Sequence, residues 1–64
     1  MAALIDTPNI VDRDGFYQDL LECHENLSDA ESHALNARLV LILANHVGDQ
    51  QALAEALALA RKTG

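Results

Sequence analysis

Ser28-Asp29-Ala30-Glu31, followed by Leu35-Asn36-Ala37-Arg38-Leu39-Val40-Leu41-Ile42-Leu43-Ala44-Asn45-His46-Val47-Gly48, decides the fold of this 64-residue chain. The first four residues match a capping box: the Ser28 hydroxyl serves the backbone N–H of Glu31, and the Glu31 carboxylate reaches back to Ser28. Gly48 supplies the left-handed residue that closes a helix. Between these signals a helix over 28–47 runs for roughly 28 Å. Leu35, Leu39, Ile42 and His46 line one face, Ala34, Ala37 and Leu41 lie opposite, and Val40, Ala44 and Val47 fall between. Polar residues form only two narrow strips, Glu31, Arg38 and Asn45 on one and His33 and Asn36 on the other. A helix that is apolar nearly all round must be buried nearly all round.

Working outward, a second helix is expected over 13–26, capped by Asp12 or Asp14. Cys23, Phe16, Leu27, Leu20, His24, Tyr17 and Leu21 fill one arc of its wheel, while Glu25, Gln18, Glu22, Asn26 and Asp19 fill the other. Gly15 weakens its first turn slightly. With only Leu27 and the Ser28 cap between them, these two helices read as a hairpin. On the other side Asp49 caps a third helix over 50–62, with Leu53, Ala56, Leu57 and Ala60 as its stripe and Arg61 and Lys62 where a helix C-terminus favours cations. Residues 1–11 form an arm, extended around Thr7-Pro8. Its Leu4, Ile5, Ile10 and Val11 pack either on the chain's own helices or on a partner. The fold class is all-α: an arm over 1–11 and a three-helix domain over 12–64, with the 28–47 helix at the centre.

Composition narrows the function. Half of the residues are hydrophobic, only Phe16 and Tyr17 are aromatic, and alanine and leucine make up a third of the chain. A core this small is marginal without a supplement. Cys23 is the only cysteine, so no disulfide forms within the chain, and association is the remaining route to stability. The net charge of -6 repels nucleic-acid phosphates and anionic membranes. No apolar stretch reaches the ~18 residues of a membrane span. A lone free cysteine suits a reducing compartment, and a cytoplasmic protein is expected. The charge is lopsided: residues 1–32 carry eight acids and one base, residues 33–64 two acids and three bases.

No catalytic constellation stands out. A reactive thiolate needs a positive setting or a helix N-terminus; Cys23 falls late in its helix, near Asp19 and Glu22, and reads as a packed small hydrophobe. His33 and His46 lie about 20 Å apart on one helix and share no metal ion. His24 and His46 fall on apolar faces, where a hydrogen-bonded core or interface histidine is the usual outcome. Ser28 is explained by its cap. Gly15, Gly48 and Gly64 make no phosphate-cradling loop. No metal, no cofactor and no enzymatic activity of the chain alone are expected. The expected contact surface is the central helix with the arm: Ile5, Ile10, Arg38, Val40, Leu41, Asn45 and His46. Arg38 and Asn45 share one side and suit a register-setting polar strip, with Arg38 able to pair bidentately with a carboxylate across an interface.

Leu35-Asn36-Ala37-Arg38-Leu39-Val40-Leu41-Ile42-Leu43-Ala44-Asn45-His46-Val47-Gly48-Asp49 resembles the central motif of a family of short bacterial proteins classed as a domain of unknown function. The likeness extends to Thr7-Pro8-Asn9, Phe16-Tyr17, Leu27-Ser28 and Glu55-Ala56-Leu57-Ala58-Leu59-Ala60-Arg61, and so covers nearly the whole chain. The resemblance transfers no catalytic residue. It implies a setting near flavin-dependent hydroxylases of aromatic compounds, an associational hint only. The expected function is a helical interaction module, an accessory or stabilising subunit of a larger enzyme such as one of those hydroxylases. The alternatives are a self-contained homodimer, and a histidine-based enzyme or ligand-binding protein built at a dimer interface.

Overall fold

Ser28 caps the central helix with both arms of its box in place. The structure is a computed structural model that describes residues 3–63. Ser28 Oγ accepts from Glu31 N–H at 3.2 Å, and Ser28 N–H donates to Glu31 Oε1 at 2.9 Å. Three helices follow in chain order: α1 over Arg13–Cys23, α2 over Asp29–Val47 and α3 over Gln50–Thr63. The fold is all-α. Gly48 closes α2 with φ 64, its N–H bonded to Ala44 O at 2.9 Å. Asp49 caps α3 by accepting from Ala52 N–H at 2.9 Å, and Asp12 caps α1 by accepting from Gly15 N–H at 2.9 Å.

One boundary departs from the sequence expectation by more than a single residue. Helix α1 stops at Cys23, three residues before the expected 26. The chain tightens there: His24 N–H bonds Leu21 O, Glu25 N–H bonds Glu22 O and Leu27 N–H bonds His24 O. Asn26 then takes φ 63. A right-handed helix does not run through that angle, and asparagine is the non-glycine residue that best tolerates it.

The helices splay apart. No two of them pack closely along their lengths among the described residues. The Cα radius of gyration is 13.3 Å, against about 10.7 Å for a compact chain of 64 residues. Ala52, at 8% exposure, is the one buried hydrophobic residue described. Leu4, Leu35, Leu39, Ala44, Leu53 and Ala56 are half-buried. The expectation that α2 is buried nearly all round is therefore corrected: α2 has no buried residue. Likewise Cys23, read as packed, is exposed, as are Phe16, Tyr17 and Leu21 on the arc of α1 expected to face inward.

Candidate interaction surface

His24 is the side chain that ties α1 to α2. It sits just past α1, half-buried, and uses both ring nitrogens: Nδ1 meets Ser32 Oγ at 3.0 Å and Nε2 meets Asn36 Oδ1 at 3.1 Å. An amide oxygen only accepts, so Nε2 carries a proton; in the neutral ring Nδ1 then accepts from the Ser32 hydroxyl. Ser32 and Asn36 lie one turn apart on α2 and present to α1 together. The arm is tied at the other end of the molecule. Leu4 N–H donates to Glu55 Oε1 at 3.4 Å, and Leu4, Ile5 and Asn9 close a hollow of about 290 Å³ against Val47, Asp49 and Ala52. Of the two placements open to the arm, its first residues take the one on the chain's own helices.

Between α2 and α3 lies a larger groove of about 550 Å³. Val40, Leu43, Ala44 and Val47 form one wall, spaced as a helical seam. Leu53, Ala56, Leu57 and Ala60 form the other at the same spacing, and Leu41 stands on the rim. Gln50 is the sole polar side chain among the residues lining it. The walls stand open: Leu41 is 70% exposed and Leu57 67%. Single exposed aliphatics are ordinary. A contiguous run of them on two neighbouring helices is the pattern of an interaction site.

The residues expected to meet a partner fall in three places. Val40 and Leu41 line the groove. Ile5 borders the arm hollow, and Ile10 is exposed further along the arm. Arg38, Asn45 and His46 are exposed on α2 outside the groove lining. The α3 wall was missing from the expected surface. Its stripe is plain in the sequence, but a stripe at that spacing reads equally as core; only the splay between α2 and α3 turns it into surface.

Among the described residues no three His, Cys, Asp or Glu side chains are placed to hold a metal ion, and no helix is long and apolar enough to cross a membrane. The cap also perturbs an acid: the Ser28 backbone N–H, and after it the Ser28 hydroxyl, hold the Glu31 carboxyl below its ordinary value.

A model of proteins of unknown function, DUF2783, matches residues 4–62. The chain belongs to that family. The match takes in the arm from Leu4 onward and all but the last residue of α3. No curated protein and no solved structure matches the chain. Membership in DUF2783 assigns no activity, and the functional reading rests on the surface just described.

Proposed function

We propose that this DUF2783 chain is a small helical protein–protein interaction module, an accessory or stabilising subunit of a larger assembly with no catalytic site of its own. One observation carries the reading. The chain exposes 5690 Å², about 1,700 Å² more than a compact monomer of its mass. Much of what it exposes is large and apolar, from Val40, Leu41, Ile42 and Leu43 on α2 to Leu57 on α3. Burial of apolar surface is the dominant favourable term in folding and association, so a chain built this way gains most of its stability when another polypeptide covers it. The groove lining holds no titratable side chain, which suits recognition by burial. No residue selects a flavin-dependent hydroxylase as the larger enzyme; that choice rests on the family resemblance alone.

The test has two arms. In the native cell, a tagged chain should retain an enzyme at fixed stoichiometry, and that enzyme should lose activity or stability when the chain is deleted. In vitro, the purified chain diluted below micromolar concentration should bind a hydrophobic dye and melt at a temperature that depends on its concentration. A cooperative, concentration-independent melt with no dye binding would overturn the proposal.

A further inference from the structure

We infer that the occupant of the α2–α3 groove is a second copy of this chain, the two copies joining their α2–α3 pairs into a four-helix core. The inference rests on the interaction-module reading and names the partner for one of its surfaces.

The first support is periodicity. Val40, Leu43 and Val47 on α2, and Gln50, Leu53, Leu57 and Ala60 on α3, alternate steps of three and four. That is the seam pattern of helical bundles, in which each helix presents a narrow apolar stripe to its neighbours. Here two stripes face one groove, and nothing among the described residues fills it. Two-fold pairing places the same patch of each copy against the other, so a chain that carries both the groove and the exposed Leu41 and Leu57 side chains lining it supplies both halves of the contact. Ala44, Ala56 and Ala60 line the walls and let helix backbones approach closely.

The second support is area. If each copy recovers about half of its excess of about 1,700 Å², leaving the arm and α1 exposed, the pair buries about 1,700 Å² in all, the size of a standard specific interface. Charge is the third. A chain of net charge -6 repels its own kind unless the contact avoids the charges. The groove does so: no charged residue lines it, and it belongs to the half of the chain that carries two acids against three bases.

The test uses the full chain. Sedimentation velocity at tens of micromolar should give twice the 6.9 kDa chain mass. Leu57→Glu should return it to the single-chain mass, while Ile10→Glu, on the arm, should leave the dimer intact. Leu57 is 67% exposed in the single chain, so the glutamate meets solvent there and loss of the dimer does not require loss of the helices, which circular dichroism checks. Isotope-filtered NMR on a mixture of labelled and unlabelled chain should show intermolecular contacts between Val40, Leu43 and Leu57 methyl groups. A monomer at that concentration overturns the inference, as does a dimer whose filtered contacts come from the arm and α1. An enzyme that binds monomeric chain through Leu57 overturns it too, yet leaves the accessory-subunit proposal standing. A dimer in cells that retain no enzyme upholds it and sinks the accessory role.

Discussion

Replacing His24 with alanine removes the one side chain that bonds α1 to α2 through both of its ring nitrogens. The bonds to Ser32 and Asn36 are 3.0 and 3.1 Å long. Each such bond contributes a net ~0.5–1.5 kcal/mol. Ser32 is half-buried and Asn36 exposed, so water replaces the second partner more readily, and the loss should be about 1–2 kcal/mol. Against a total of ~3–10 kcal/mol for a chain of this length, that lowers the melting temperature by about 5–15 °C. The measurement is denaturant unfolding by circular dichroism at one fixed protomer concentration, since association shifts apparent stability. Hydrogen exchange adds the location: α1 amides should lose protection while the middle of α2 keeps it. A cycle of His24→Ala with Asn36→Ala should give a coupling of at least ~0.5 kcal/mol. A change below ~0.3 kcal/mol, within the range of an ordinary surface substitution, with α1 protection unaltered, would refute the idea that His24 anchors the hairpin.

The caps and glycines give four further expectations. Ser28→Ala should cost about 1 kcal/mol. The same cap sets a pH dependence: because the folded Glu31 carboxyl titrates below its ordinary value, its contribution is fully present above the unfolded value and is lost as pH falls through the folded one. Acid titration of Ser28→Ala should show a shallower decline there than the parent chain. Gly48→Ala should cost ~1–2 kcal/mol, entirely through its φ of 64, because an added Cβ meets only Asn45 O, at 3.7 Å; unfolding curves of Gly48→Asn, a residue that tolerates this angle, should show a smaller loss. Gly15→Ala ought to stabilise α1 by helix propensity, but its Cβ runs into the Asp12 carboxylate that caps the helix. Losing the cap offsets the gain, so thermal melts should show no net stabilisation, whereas in an Asp12→Ala background the same change should stabilise.

What could be read from the sequence follows from the range of the forces involved. Ser28, Gly48 and Asp49 act on backbone groups within four residues of themselves, and each performs the role its local pattern announces. The end of α1 was less legible, because Asn26 takes its left-handed angle to turn the chain into α2. His24 was legible as a hydrogen-bonded histidine. Its partners, eight and twelve residues away, depend on the placement of α1 beside α2, which no local rule supplies. The groove shows the same division. The stripes on α2 and α3 are visible as periodicity, whereas the angle between the helices decides whether those stripes face each other or solvent. Cys23 was misread for that reason: its place on the wheel of α1 is apolar, but its side chain is exposed in the single chain.

The two apolar surfaces differ in charge, and that difference gives the two proposed contacts different salt responses. Val40, Leu41, Leu43, Val47 and Leu57 lie in the near-neutral half of the chain. Ile10, Val11, Phe16, Tyr17 and Leu21, all exposed, lie among Asp6, Asp12, Asp14, Asp19, Glu22 and Glu25 in the acidic half. Association through the neutral groove rests on burial, which moderate salt hardly screens. An accessory subunit that meets a larger enzyme through its acidic half should be steered by charge, and that attraction falls off beyond ~8–10 Å at physiological salt. Raising salt from 50 to 500 mM should therefore leave the chain's own dimerisation constant within about twofold, while slowing association with the enzyme at least tenfold. Equal salt sensitivity of the two would mean that one surface serves both contacts, and the division of the molecule into a self-associating half and an enzyme-facing half would fail.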